Sequence, residues 1–243
     1  MPTLRLDLAY DGSGFRGYAR QEGHRTVQAV LEDAIETVLR VPVETAVAGR
    51  TDAGVHARRQ VVSIRVEEPV DAERLARSIN GLVGPEMSVM AVTEVEQDFH
   101  ARFSASWRKY RYEISTASAL DPLTRGVVWH VGQTVDAAAM AATAAEFEGE
   151  HDFSAFCRTV EGKSNVRHVD ETRWEVDGDQ MQFWIQANAF CHQMVRALVG
   201  LSYDVGRGFT SIGSVRDIIE SRDRGRVATI APPHGLTLWE VGY

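Results

Sequence analysis

The sequence predicts an α+β fold of two β-α-β-β-α-β halves, with antiparallel sheets joined around a central cleft. Three observations carry that expectation. Apolar residues alternate at the start of each half, as Leu4, Leu6, Leu8 and Tyr10 and again as Tyr110, Tyr112 and Ile114. Between such runs lie segments with apolar residues at helical spacing, each opened by a capping residue. The order of elements then repeats without a low-complexity linker between the halves.

In the first half, Thr26 is placed to cap a helix in which Val27, Val30, Leu31, Ala34, Ile35 and Val38 share one face. Pro42 follows its end, and 43–48 reads as a short strand. Val62, Ile64 and Val66 alternate as the next strand, Asp71 caps a second helix running through Ile79, and 88–95 closes the half. This is the split arrangement of a ferredoxin-like sheet. In the second half, 107–115 is a strand and the alanine-rich run from Asp136 to Phe147 is a helix with an Asp cap. Strands over 166–176 and 180–189 pair around the turn Asp177-Gly178-Asp179. Met194, Val195, Leu198 and Val199 mark a further helix, 211–220 an extra one, and 236–241 a closing strand after Pro232-Pro233. The expected domains are 1–105 and 106–243.

The composition is that of an ordinary globular chain, with 44% hydrophobic and 25% charged residues. No apolar run is long enough to span a membrane, and the N-terminus lacks the basic region and apolar core of a signal peptide. The expected location is therefore cytoplasmic. Cys157 and Cys191 lie far apart, without a C-x-x-C pair or clustered histidines. A structural metal site and a disulfide framework are thus not expected, and both cysteines read as small buried hydrophobes. Net charge is −8, which argues against a surface uniformly coated for nucleic acid. The basic residues are nearly all arginine, Lys109 and Lys163 being the exceptions. Arginine grips phosphate through paired hydrogen bonds and stacks on bases, so a local positive cleft on an acidic body is compatible with this chain.

Four segments can carry chemistry. Gly49-Arg50-Thr51-Asp52-Ala53-Gly54-Val55-His56-Ala57 packs a cation and a carboxylate between glycines in a loop. A neighbouring arginine holds such a carboxylate ionised, as base, nucleophile or electrostatic stabiliser. The loop from Tyr10 to Gln21 interleaves Arg16 and Arg20 with glycines and aromatic rings, a composition suited to phosphates and bases. Phe99-His100-Ala101-Arg102-Phe103-Ser104-Ala105 precedes Arg108-Lys109-Tyr110-Arg111-Tyr112, where the tyrosines point opposite to Lys109 and Arg111. They serve either as core or as a platform for a base. Finally, Arg196 follows Met194-Val195 among apolar neighbours, where a guanidinium calls for a carboxylate partner.

These segments resemble the TruA-type tRNA pseudouridine synthases. The loop 49–57 is similar to that family's G-R-T-D-A-G-V-H signature. Residues 10–21 are similar to Y-D-G-x-x-x-x-G-W-x-x-Q, with Tyr18 in place of Trp, and 99–112 to F-H-A-R-F-S-A-x-x-R-x-Y-x-Y. Residues 188–196 resemble N-A-F-x-x-x-M-V-R, 151–156 resemble H-D-F-x-x-F, and 231–238 resemble A-P-x-x-G-L-x-L. Residues 80–89 depart from N-x-x-L-P-x-D-I, with the proline shifted and Glu86 and Met87 replacing Asp and Ile. The resemblance implies the pseudouridine synthase fold and isomerisation of uridine to pseudouridine at positions 38, 39 and 40 of the tRNA anticodon arm. It implies a homodimer that needs neither cofactor nor metal. Asp52 would be the catalytic carboxylate, acting on the ring, at C1′ or as a base. Arg196 would hold Asp52, Tyr110 would stack on the uracil, and Arg50 would help extrude the nucleotide, with Arg16 and Arg20 as further RNA contacts. Two rivals remain at this level. One is a non-catalytic RNA-binding module, although the aromatic pattern of such motifs is missing. The other is a hydrolase, although the two flanking carboxylates usual there are not evident.

Overall fold

A computed structural model describes residues 1–158, 162 and 164–243, so Lys163 lies outside the described residues. The chain divides into two compact units, residues 1–106 with 237–243, and residues 107–236. A cut at 105/106 would assign 237–243 to the second half, whereas their contacts place them with the first unit.

In the first unit, β1 (Thr3–Tyr10) pairs antiparallel with β3 (His56–Arg65) on one side and β4 (Met87–Val95) on the other. Leu4, Leu6 and Leu8 are wholly buried, while Arg5, Asp7 and Ala9 on the opposite face keep partial exposure. That is the alternation the sequence predicts. Helix α1 (Val27–Leu39) begins at Thr26, whose hydroxyl accepts from the Ala29 amide at 3.3 Å. Helix α2 (Ala72–Asn80) begins at Asp71, whose carboxylate accepts from the Arg74 amide at 2.9 Å. The strand expected over 43–48 is reduced to β2 (Ala46–Val47), paired with β3. Thr45 instead spends its hydroxyl on the Glu32 carboxylate, at 2.7 Å. β10 (Leu236–Gly242) joins β3 in parallel, Thr237 opposite His56 and Leu238 opposite Ala57.

In the second unit the strands run in the order β5, β9, β8, β7, all antiparallel neighbours. β5 (Trp107–Ser115) and the hairpin of β8 (Val166–Asp177) and β9 (Gln180–Ala187) fall where expected. β6 (Trp129–His130) and β7 (Gly149–Asp152) add to the strands that the sequence predicts. Helix α3 (Ala137–Ala145) is capped by Asp136. Helix α4 (Met194–Gly206) is buried along nearly its whole length. The extra helix starts later than its sequence suggests, as α5 (Val215–Ser221) after a single 3-10 turn.

One expectation is corrected here. Cys157 and Cys191 are not separate buried thiols but are joined as a disulfide, with Cα atoms 5.7 Å apart. The Arg158 amide donates to the His192 carbonyl at 3.0 Å, and this contact brings the two segments together. Nothing in a 34-residue separation signals it. Among the described residues no helix is long and apolar enough to cross a membrane.

Candidate active site

The loop carrying Asp52 joins β2 to β3 and hangs from a buried polar frame. The Tyr10 and Thr51 hydroxyls are 2.8 Å apart, and the Gln60 side-chain amide donates to the Tyr10 hydroxyl at 3.3 Å. The same amide donates to the Gly49 carbonyl at 2.7 Å, while Gln60 Oε1 accepts from the Val61 amide. Gln60 and Tyr10 are both buried, so these bonds form where an unsatisfied group is costly. Burial pushes the Tyr10 phenol up to about 12, against the lowering effect of the Thr51 and Gln60 hydrogen bonds. The frame thereby ties the near side of the loop, Gly49 to β3 and Thr51 to β1.

The N-terminal loop closes on the other side. The Tyr18 amide donates to the Thr51 carbonyl at 3.0 Å. Gly17 sits at a φ of +92°, and a side chain there would press on the backbone of residues 51–53. Gly12 lies so close to the Val55 carbonyl that no Cβ fits. Its amide is 3.1 Å from His56 Nδ1, which is also 3.1 Å from the Asp11 carboxylate. A neutral His56 ring accepts from Gly12 there, and an imidazolium pairs with Asp11. Burial would raise the Asp11 carboxyl, but hydrogen bonds from Ser13 and the His56 charge outweigh it and hold the group below its usual value. Within the loop, the Val55 amide donates to the Asp52 carbonyl at 3.1 Å, closing a tight turn. Asp52 itself is half-buried, whereas Arg50 is exposed.

The remaining sequence candidates fall as follows. Arg16 is exposed on the N-terminal loop. Arg20 is exposed too, but its guanidinium already pairs with Asp33 at 2.8 Å and Glu32 at 2.9 Å, and those carboxylates raise its pKa further. Thus Asp52, Arg50, Arg16 and Arg20 all belong to the first unit. Tyr110 and Arg196 belong to the second. The Tyr110 ring is mostly buried on β5, and Phe190 meets it edge-on at 5.0 Å. Its strand neighbour Tyr112 is core: the hydroxyl donates to the Pro232 carbonyl at 2.8 Å, and burial drives its pKa far up. Arg196, on the first turn of α4, is half-buried and donates through Nε to the Ala231 carbonyl at 2.7 Å. The Ala231 amide returns a bond to the Arg196 carbonyl, so the helix start is locked to 231.

Two contributors lie outside the residues that the sequence singles out. Gln60 is one, a buried amide between two arginines and two valines. Arg224 is another: its pKa is lowered by burial and by the charge of Arg196, which places two guanidiniums in one neighbourhood of the second unit. Among the described residues no group of three or more His, Cys, Asp or Glu side chains is arranged to hold a metal ion.

An α+β scaffold that presents a carboxylate and accessible arginines from a rigid polar frame suits an enzyme acting on an anionic substrate. Comparison with known proteins makes the class specific. The family model described as tRNA pseudouridine synthase matches residues 8–104 and 143–243, and the chain belongs to that family. A protein named tRNA pseudouridine synthase A from Streptomyces griseus is 42% identical, covering 99% of this chain and 87% of its own length. One of the same name from Methylobacterium nodulans is 42% identical over 100% of this chain and 96% of its own. Another, from Leifsonia xyli, is 40% identical over 99% and 91%.

Proposed function

We propose that this chain isomerises uridine to pseudouridine in tRNA, at positions 38, 39 and 40 of the anticodon arm, with Asp52 as the catalytic carboxylate. Family membership supports the isomerase class. The observation that carries the assignment to Asp52 is the frame of Tyr10, Thr51 and Gln60. It fixes the loop while leaving the Asp52 side chain partly accessible. The reaction breaks the N1–C1′ bond, turns the uracil and rejoins it through C5, so atoms and electrons balance within the nucleotide. Asp52 acts by addition to the ring, at C1′ or by taking a proton from the ribose, and all three routes need it ionised.

In this proposal Arg196 keeps Asp52 ionised, Tyr110 stacks on the uracil, and Arg50 helps to extrude the nucleotide from its stack. Arg16 is a further RNA contact. Arg20 joins it only by trading its ion pair with the exposed Asp33 for phosphate, while the buried Glu32 keeps its hold on the guanidinium. Residues 1–105 carry the loop and 106–243 supply Tyr110 and Arg196. The protein works as a cytoplasmic homodimer, which brings more arginine surface to the RNA than one acidic chain offers.

Incubating the purified protein with unmodified tRNA and mapping pseudouridine tests the reading, while sedimentation tests the dimer. Pseudouridine at the three anticodon-arm positions is expected. Free uracil would indicate a hydrolase, and unchanged RNA a binding module.

A further inference from the structure

The register of the first sheet contains an irregularity beside the Asp52 loop. Leu8 pairs with Gln60 and Tyr10 with Ala57, so β3 carries one residue more than β1 across this interval. Such a bulge re-aims side chains that would otherwise alternate. Ala57 and Gln60 both stay buried, and Arg58 and Arg59 between them are both exposed. The two arginines therefore share the face that carries Arg5, Asp7 and Ala9, and all five line one open depression of about 450 Å³.

The neighbours of this pair are weak holders. The Arg59 guanidinium meets Glu240 at 3.2 Å, with side chains 65% and 40% exposed. A pair so open to water contributes little and is readily exchanged for another anion. The Arg58 guanidinium lies over the Trp239 ring at 4.8 Å from its centroid, an arrangement that steers its plane and leaves its edge to donate hydrogen bonds. In a chain of net charge −8, two consecutive arginines turned to one face are a local departure from the acidic whole. Arg58 follows Asp52 by six residues, so chain geometry keeps the pair within roughly 25 Å of it.

We propose that Arg58 and Arg59 form a phosphate-binding pair for the tRNA backbone beside the target nucleotide. The inference rests on the tRNA reading and adds to it a site made by the bulge. Phosphate displaces Glu240 from Arg59, and Trp239 holds Arg58 in the orientation that grips a second phosphate with two parallel hydrogen bonds.

The test is a salt titration of tRNA binding by the full chain, comparing wild type with R58A/R59A and R58K/R59K, and with thermal unfolding as a check on folding. Each phosphate that the protein no longer neutralises takes roughly 0.7–0.9 from the log–log slope, so the alanine pair should lower its magnitude by about 1.4–1.8. The lysine pair should keep most of the slope. The effect should appear in KM and not in kcat. If R58A/R59A does not fold, R59Q alone should lower the slope by the share of a single phosphate, about 0.7–0.9. An unchanged slope and affinity would overturn the proposal. So would an unchanged slope together with conversion of a dimer to a monomer, because the face would then belong to a second copy of the chain. Wild-type protein that forms no pseudouridine, while R58A/R59A still shows the reduced slope, would sink the isomerase reading and support the phosphate site.

Discussion

In the first unit the loop around Asp52 hangs on buried side-chain hydrogen bonds among Tyr10, Thr51 and Gln60. In the second unit Arg196 rides on a helix buried along nearly its whole length, and its Nε is anchored on a backbone carbonyl. The first arrangement depends on hydroxyls and an amide that must all be present together. The second depends on volume: Gly200 of the same helix meets the Thr229 carbonyl so closely that no Cβ fits. A polar frame fixes direction, because each bond has a preferred line, and it fails when a single atom is removed. A packed helix fixes position, and it tolerates polar changes at its edge better than changes of bulk.

The largest expected effect falls on the carboxylate proposed to react. Asp52→Asn keeps the size of the side chain and the Val55 amide bond to the backbone carbonyl. Pseudouridine formation should nevertheless drop by on the order of 10⁴ or more, with tRNA binding intact. A variant retaining a tenth of wild-type turnover would remove Asp52 from the chemistry.

Tyr110 comes next. If its ring serves as a platform, Tyr110→Ala should weaken RNA binding by roughly 1–3 kcal/mol, and Tyr110→Phe should bind normally. Poor turnover by the Phe variant would add a role for the hydroxyl. Near-wild-type kinetics in both would take Tyr110 out of the site.

The frame should show its fragility in Tyr10→Phe, which leaves Thr51 and Gln60 short of a partner and should cost about 1–3 kcal/mol in denaturant unfolding. The same variant tests a pH signature. The unfolded phenol ionises near 10, whereas the folded one holds its proton to about 12. Over that window the folded state binds more protons, so the Tyr10 contribution is full below pH 10 and is lost as pH rises toward 12. Tyr10→Phe should flatten that part of the stability curve, and an unaltered curve would mean the hydroxyl is not buried as described.

The smallest effect concerns Asp11. Its carboxyl is held below the usual value, so it adds stability above the ordinary carboxylate range that is lost as acid protonates the folded form. Asp11→Asn should make unfolding slightly less sensitive to acid, and a midpoint that shifts equally at every pH would assign the loss to packing.

Much of the candidate site was legible because its signal is local. Nine consecutive residues carry the Asp52 loop, and caps such as Thr26, Asp71 and Asp136 act over three residues. What escaped depends on pairing between distant segments. Gln60 reads as one polar residue in a strand until its reach to Gly49 and Tyr10 is known. Arg58 and Arg59 would lie on opposite faces of a regular strand, and only the bulge turns both to one. β6 and β7, of two and four residues, are too short for periodicity to mark. The Cys157–Cys191 bridge has no spacing signature at all.

The strand over 237–243 carries a consequence in time. It lies beside His56 and Ala57, the residues that end the Asp52 loop, yet the ribosome makes it roughly 180 residues later, about 10–40 s at ordinary elongation rates. Throughout that interval β3 has an open edge at His56 and Ala57. A nascent chain can thus build the polar frame early, with Tyr10, Asp11 and Gly12 holding the loop's far end from one side only. The carboxylate of Asp52 is made early in synthesis, and the second edge beside its loop is among the last parts of the molecule to be covered.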